Sequence, residues 1–224
     1  MNSVLTPLDF LARSASVFRD RIAVVESQQR ITYREFHDRV HRLGSALTRT
    51  GVKVGDRVAV LMRNGLAALE CHFGVPLTGA ALVMLNIRLQ PAELAAILNH
   101  TGATLLIGEP HLLGALQSGQ QGLANLGRII ADYETFLGEG SSSYHGIEPQ
   151  EDTVIAINYT SGTTGIPKGV MYTHRGAYLN ALGEIVEHNL SESSCYLWTL
   201  PMFHCNGWCF PWAITAVGAR NFVC

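Results

Sequence analysis

Two kinds of hydrophobic pattern alternate along the first 130 residues. Continuous apolar runs such as Val58–Met62 are typical of parallel strands that are buried on both faces. Between the runs, segments with a 3.6-residue repeat carry apolar residues on one face, as Phe36, Val40 and Leu43 do. Strands and helices that alternate over short connections predict an α/β fold with mostly parallel sheets flanked by helices. The predicted strands are Ile22–Val25, Val58–Met62, Ala81–Leu85, Leu105–Ile107, Arg128–Ala131, Thr153–Tyr159, Gly169–Thr173 and Cys195–Leu200.

Capping residues indicate where the predicted helices begin and end. Thr32 followed three residues later by Glu35 is a capping box. Gly51 stands where a glycine that terminates a helix is expected. Single polar residues before other apolar repeats predict further N-caps. These further caps are Thr6 with Pro7 behind it, Asn64, and Asn206.

A segment rich in glycine and serine, Leu137–Glu151, predicts a division of the chain. We expect residues 1–150 to form a first α/β subdomain and residues 151–224 to begin a second one. The last residues, Asn221–Cys224, resemble the opening of another buried strand. Because domains seldom end inside a strand, we expect the chain to be the truncated N-terminal part of a larger domain.

Composition and charge exclude several classes of function. The formal net charge of −2 argues against nucleic acid and anionic membrane surfaces as partners. No apolar run reaches the roughly 18 residues of a membrane span. Five cysteines without a secretory signal predict a reduced, cytoplasmic protein. The alternative is an organelle transit peptide, which Arg13 and Arg19 favour and Asp9 and Asp20 oppose.

The stretch from Tyr159 to Gly169 has the chemistry of a polyphosphate-binding loop. It follows a buried strand, and open α/β sheets bind ligands at the carboxyl ends of their strands. Its glycines allow close approach of backbone N–H groups, its hydroxyl groups donate hydrogen bonds, and Lys168 supplies a positive charge. A polar surface loop is the alternative, but such a loop has no need for this density of donors after a core strand.

The loop is not a Walker A motif, because that motif requires glycine directly before the lysine and Ser or Thr after it. Here Pro167 precedes Lys168 and Gly169 follows it. A nucleotide-binding loop of another class is therefore indicated.

The sequence T-S-G-T-T-G-I-P-K-G at residues 160–169 resembles the signature of the adenylate-forming, or AMP-binding, superfamily. That superfamily includes acyl-CoA synthetases, peptide-synthetase adenylation domains and firefly-type luciferases. Segments Ile31–Glu35, Gly55–Val60 and Leu200–His204 are similar to other segments of the family. Pro201–Trp208 is most similar to the acyl-CoA synthetase and acyl-activating branch.

The resemblance implies ATP-dependent activation of a carboxylic acid, such as a fatty or related acid, to acyl-AMP and then acyl-CoA. It implies ATP and Mg²⁺ as cofactors and CoA as second substrate. Lys168 and His204 are the catalytic candidates. The candidates for phosphate binding are Thr160, Ser161, Gly162, Thr163, Thr164, Gly165 and Lys168. The candidates that line the acid pocket are Phe203, His204, Asn206, Gly207 and Trp208.

Two structural alternatives stay open at the second motif. His204 is a core histidine in the simpler interpretation, and Phe203 and Trp208 are then ordinary packing residues. His204, Cys205 and Cys209 also have spacings seen in zinc sites, but no second ligand pair follows, and we predict no metal ligand in this chain.

The family motifs for adenine, Mg²⁺ and CoA, and a C-terminal domain with a catalytic lysine, find no counterpart in these 224 residues. We therefore expect the isolated chain to be inactive and to need a missing C-terminal half. A peptide-synthetase adenylation domain and a non-catalytic binding remnant are the alternative functions.

Overall fold

The computed structural model describes residues 4–117, 123, 126–160 and 168–223. Helices and strands alternate along these residues, as the sequence predicts. The α-helices are α1 (Leu8–Val17), α2 (Tyr33–Arg49), α3 (Leu66–Gly74), α4 (Pro91–Thr101), α5 (Pro110–Gln117), α6 (Tyr133–Gly138), α7 (His174–Glu187) and α8 (Phe210–Ala216). The strands are β1 (Ile22–Glu26), β2 (Gln29–Thr32), β3 (Arg57–Leu61), β4 (Ala81–Met84), β5 (Leu105–Gly108), β6 (Arg128–Ile130), β7 (Val154–Thr160), β8 (Lys168–Thr173), β9 (Cys195–Leu197) and β10 (Arg220–Val223).

The larger sheet has six strands in the order β6-β5-β3-β4-β7-β8. All neighbours are parallel except β7 and β8, which pair antiparallel. The carboxyl ends of β3, β4, β5 and β7 therefore meet at one edge of the sheet, where doubly wound α/β proteins bind their ligands.

The smaller sheet has the order β2-β1-β10-β9, with β10 parallel to both of its neighbours. Each sheet thus takes strands from both sides of residue 150. The boundary predicted at that residue cuts across both sheets, and the division into subdomains stays a prediction.

The six-stranded sheet is covered on both faces. Val58 and Val60 belong to one buried cluster, while Ala59 and Leu61 belong to a second cluster on the opposite face. This double coverage explains why the sequence of β3 is continuously apolar rather than alternating.

The local capping signals are partly confirmed. Thr32 and Glu35 form the predicted capping box of α2, and Gly51 has the left-handed φ of +94°. The prediction for Thr6 is wrong, since α1 begins at Leu8 with Pro7 as its N-cap. The Thr6 hydroxyl accepts from the Leu8 N–H at 3.3 Å and also forms a buried 2.8 Å hydrogen bond with Nδ1 of His174.

The prediction that Asn64 caps α3 is also wrong. The N-cap of this helix is Gly65, which has no side chain to offer. A carboxylate oxygen of Glu26 accepts from the Leu66 N–H at 3.3 Å and supplies the missing partner from another strand. The Asn64 side-chain amide therefore makes its hydrogen bonds elsewhere.

Candidate active site

The predicted phosphate-binding loop connects two antiparallel strands at the ligand-binding edge of the larger sheet. Thr160 ends β7, Lys168 begins β8, and the two residues are paired directly. Both are exposed. No carboxylate among the described residues forms an ion pair with Lys168. The remaining phosphate-binding candidates, Ser161, Gly162, Thr163, Thr164 and Gly165, lie outside the described residues.

Strand β7 carries polar side chains on both faces just before Thr160. The Tyr159 hydroxyl forms a 2.6 Å hydrogen bond with Nδ1 of His100, which lies on α4. Partial burial raises the pKa of the Tyr159 hydroxyl. Asn158 points to the opposite face and is buried. The end of this strand is therefore held from both sides of the sheet.

The second motif lies in an irregular segment, residues 198–209, which Asn64 fastens to the end of β3. Its amide oxygen accepts from the Met202 N–H at 2.8 Å. Its amide nitrogen donates to the carbonyl of Leu200 at 2.8 Å and to that of Trp198 at 3.2 Å. Three backbone groups of the segment are thus satisfied by one side chain that follows a central strand.

A left-handed turn follows, residues 205–209. Each of its five residues has a positive φ: Cys205 50°, Asn206 46°, Gly207 54°, Trp208 55° and Cys209 64°. Such a conformation costs about 1–2 kcal/mol for each residue that carries a Cβ. Consecutive positive φ values persist only where the surrounding contacts enforce them.

Close packing against Trp198 contributes to that enforcement. A Cβ built on Gly207 would lie 2.7 Å from the Trp198 ring, so only glycine fits at this point of the turn. The Trp198 indole is itself fixed, because its N–H donates to the buried Asn221 side chain at 2.9 Å.

The prediction that Asn206 caps a helix is wrong. Helix α8 begins at Phe210, its N-cap is Cys209, and no side chain caps it. Asn206 is buried, and its N–H donates to the amide oxygen of Asn158 at 3.0 Å. Among the described residues, neither amide atom of the Asn206 side chain nor the amide nitrogen of Asn158 has a hydrogen-bond partner.

The five predicted acid-pocket residues do not share one surface. His204 is exposed, Trp208 is 52% exposed and Phe203 is half-buried. Asn206 and Gly207 are buried beneath them. His204 and Trp208 are therefore the members that a ligand can reach directly. Phe203 is partly accessible, and Asn206 and Gly207 shape the backbone.

The left-handed turn also contacts β8. Burial raises the pKa of the Tyr172 hydroxyl on that strand to about 12, and the thiols of Cys205 and Cys209 in the turn act in the same direction. Burial likewise raises the pKa of the Cys209 thiol to about 12. Across the described ranges, no group of three or more His, Cys, Asp or Glu residues is placed to hold a metal ion.

Two residues that matter here were not predicted as part of the site, namely Asn64 and Asn158. Asn158 does leave a signal, because it is an amide inside the otherwise apolar strand Thr153–Tyr159. A polar group in a core strand must find a hydrogen-bond partner when it is buried. The partner itself, the backbone of residue 206, is not visible in the sequence.

Comparison with known proteins decides the family. A family model described as AMP-binding enzyme matches residues 11–224. The chain belongs to this family of AMP-binding enzymes. The predicted recognition and the predicted fold class are therefore confirmed.

The curated relatives include acid–CoA ligases. The chain is 42% identical to 4-hydroxybutyrate–CoA ligase 2 of Metallosphaera sedula, over 98% of this chain and 43% of the relative. It is 36% identical to the peroxisomal acetate/butyrate–CoA ligase AAE7 of Arabidopsis thaliana, over 98% of this chain and 43% of that relative. The chain thus spans less than half the length of these relatives.

The N-terminal domain of FACL13 from Mycobacterium tuberculosis, solved with an inhibitor, has the same fold. The TM-score is 0.93 at 26% identity, over 99% of this chain and 57% of that one. In the described part of the chain, no helix is long and apolar enough to cross a membrane.

Proposed function

We propose that this chain is the N-terminal part of an ATP-dependent acid–CoA ligase that forms an acyl-AMP intermediate. The observation that carries the proposal is the Thr160–Lys168 hairpin at the carboxyl edge of the sheet, within a chain of the AMP-binding family. The acid–CoA ligase names of the relatives support this class of reaction. We infer that catalysis also needs residues outside these 224, since the chain spans 43% of the length of the curated relatives it matches.

The hairpin is proposed to hold the β- and γ-phosphates of ATP. Its donor set consists of hydroxyls, glycine backbone N–H groups and one lysine, which suits a polyanion. Lys168 is exposed and meets no described carboxylate, so its charge is available to the leaving pyrophosphate. Donors fixed before the reaction stabilise charge that develops in the transition state.

His204 and Trp208 are proposed to face the carboxylic acid, and Phe203 to border it. Asn206 and Gly207 then act through the shape of the turn. The relatives are named for 4-hydroxybutyrate, acetate and butyrate, so short aliphatic acids are the first class to screen.

CoA and Mg²⁺ complete the proposal as second substrate and cofactor. The described residues offer no grouped set of carboxylate, histidine or cysteine ligands for the metal. We therefore assign no step to it here, and a ligand for Mg²⁺ and contacts for CoA outside residues 1–224 stay predictions. A cytoplasmic location stays a prediction, and AAE7 is one of several relatives that are named peroxisomal.

The test uses the natural protein that contains this chain and measures pyrophosphate release with a panel of short acids. Lys168→Ala is expected to lower kcat/KM by roughly 10²-fold, because one preorganised charge is lost from the transition state. Lys53, the other lysine of the sequence, provides the matched control, since Lys53→Ala removes an exposed lysine far from the hairpin. Equal kcat/KM values for the two variants would show that Lys168 is not part of the site. An absence of pyrophosphate release with every acid in the panel would refute the ligase proposal.

A further inference from the structure

The left-handed turn at residues 205–209 contains few hydrogen bonds of its own. Its interior hydrogen bonds run from Gly207 N–H to the His204 carbonyl at 2.9 Å and from Cys209 N–H to the Asn206 carbonyl at 3.1 Å. These local bonds do not offset the free-energy cost of a positive φ at four residues that carry side chains. Contacts from outside the turn must therefore keep it in place.

Asn158 supplies the buried polar contact. Its amide oxygen accepts the Asn206 N–H, and both residues are at most 3% exposed. A buried N–H that loses its only acceptor is costly, so this bond strongly favours the turn over other conformations. Two residues beyond Asn158, β7 ends at Thr160, where the predicted phosphate-binding loop begins.

The Asn158–Asn206 bond thus joins β7, which leads into the predicted phosphate-binding loop, to the segment that carries His204 and Trp208. On the other flanking strand, burial and the nearby thiols of Cys205 and Cys209 raise the pKa of the Tyr172 hydroxyl. The two halves of the proposed site are therefore connected through a buried side chain.

We propose that Asn158 is a positioning residue, which holds the 205–209 turn in its left-handed form and thereby sets the position of His204 and Trp208 relative to the hairpin. Its consequence for acid binding rests on the proposed function. Its consequence for the conformation of the turn does not, so the two are tested separately.

Cys209 reports on the conformation of the turn without any need for activity. Its thiol is 1% exposed, and it reacts with iodoacetamide only when the turn opens. Cys71 on α3 is equally buried but lies outside the turn, so its rate reports global opening of the same molecule.

In the natural protein, Asn158→Leu is expected to raise the Cys209 alkylation rate about tenfold and to leave that of Cys71 within about twofold. Leucine has the branched shape of asparagine, with more bulk and no oxygen acceptor. Asn158→Ala removes the same acceptor without added bulk and replaces the leucine variant if that one does not fold. Tyr33→Phe is the matched control, since it deletes a buried hydrogen bond to the Ala219 carbonyl away from the turn.

The kinetic arm measures KM for the acid and for ATP. Asn158→Leu is expected to raise KM for the acid about tenfold while KM for ATP changes less than about twofold, because the hairpin keeps its own strand pairing. Equal changes in both constants would indicate general damage and would overturn the proposed effect of Asn158 on acid binding.

The labelling result decides the inference even where the kinetic arm fails. If Cys209 labels at the wild-type rate in the leucine and alanine variants, or if Cys71 accelerates in parallel, Asn158 does not hold the turn. If the wild-type protein activates no acid but Cys209 labelling rises selectively, the ligase proposal fails and the positioning role stands.

Discussion

At the residue scale, the two interpretations of Asn64 predict different results for a glycine substitution. A helix N-cap tolerates glycine at a cost of only a few tenths of a kcal/mol. The structure instead gives Asn64 three hydrogen bonds to the backbone of residues 198–202. We expect Asn64→Gly and Asn64→Ala each to lower the free energy of unfolding by about 2 kcal/mol, because backbone groups lose their partners. Urea denaturation measures this difference.

Asn86 is the control for that experiment. It follows the next strand, β4, and within the described residues its amide oxygen makes only a local bond to the Arg88 N–H at 2.9 Å. Asn86→Gly should therefore cost well under 1 kcal/mol. A cost for Asn64→Gly as small as that of the control would mean that the contacts to residues 198–202 contribute nothing.

What the sequence reveals at this scale depends on the separation of the partners. Thr32 and Glu35 are three residues apart, so their capping box could be predicted from the sequence. The partners of Asn64 are 134–138 residues away, and Asn158 and Asn206 are 48 residues apart. Only the folded chain brings these groups together, which is why both asparagine cap predictions failed.

At the element scale, a buried charge network joins three helices. Glu70 on α3 is fully buried and accepts hydrogen bonds from Arg39 on α2 and from the Tyr133 hydroxyl on α6. The same guanidinium also binds Glu134 on α6. Burial raises the pKa of Glu70 to about 7, although the bonds from Arg39 and Tyr133 act in the opposite direction.

This raised pKa predicts how stability depends on pH. Between the ordinary pKa of 4.5 and the folded value of about 7, the folded chain binds a proton at Glu70 that the unfolded chain has lost. The free energy of unfolding should therefore fall as pH rises through this window, by on the order of 3 kcal/mol, and then level off. Urea denaturation at a series of pH values measures the slope.

Two variants separate this contribution from that of other groups. Glu70→Gln cannot titrate, so the decline assigned to this carboxyl should disappear. Glu134→Gln removes the exposed partner of the same arginine and should keep most of the decline. Identical pH profiles for wild type and Glu70→Gln would show that Glu70 does not titrate in this window.

The elements themselves were largely predictable, for a physical reason. Strands β3, β4 and β5 lie between two buried clusters, and this double burial requires the uninterrupted apolar runs seen in the sequence. The start of α8 was not predictable, because the five residues before it take a left-handed path that no local pattern encodes.

At the scale of the whole molecule, the α/β class followed from alternation, but the order of the strands did not. Val24 on β1 pairs with Asn221 on β10, which is 197 residues away, and Leu82 on β4 pairs with Ala156 on β7, which is 74 residues away. The glycine- and serine-rich linker predicted a boundary, yet both sheets continue across it. The composition of this segment indicates a loop, but it does not indicate which strands pair on either side of the loop.

Exposed apolar side chains are concentrated on one part of the molecule. Of the ten large ones in the described residues, seven lie between residues 170 and 208. On α7, Leu179, Leu182 and Val186 form one stripe at helical spacing. Strands β8 and β9 are also the edges of their sheets. An apolar stripe beside open strand edges favours association.

We therefore expect the 224-residue polypeptide, produced by itself, to self-associate at micromolar concentrations in sedimentation velocity. The double variant Leu179→Glu/Val186→Glu should shift it towards monomer, because charge on the stripe opposes its burial. The matched control is Val17→Glu/Val54→Glu, whose positions are 58% and 65% exposed but lie apart from the stripe. If the control disperses the polypeptide equally, added net charge is the cause and the α7 stripe is not the associating surface. If only the stripe variant shifts the polypeptide towards monomer, the α7 stripe is the associating surface. The same face should then be inaccessible in a longer natural form in which other residues cover it.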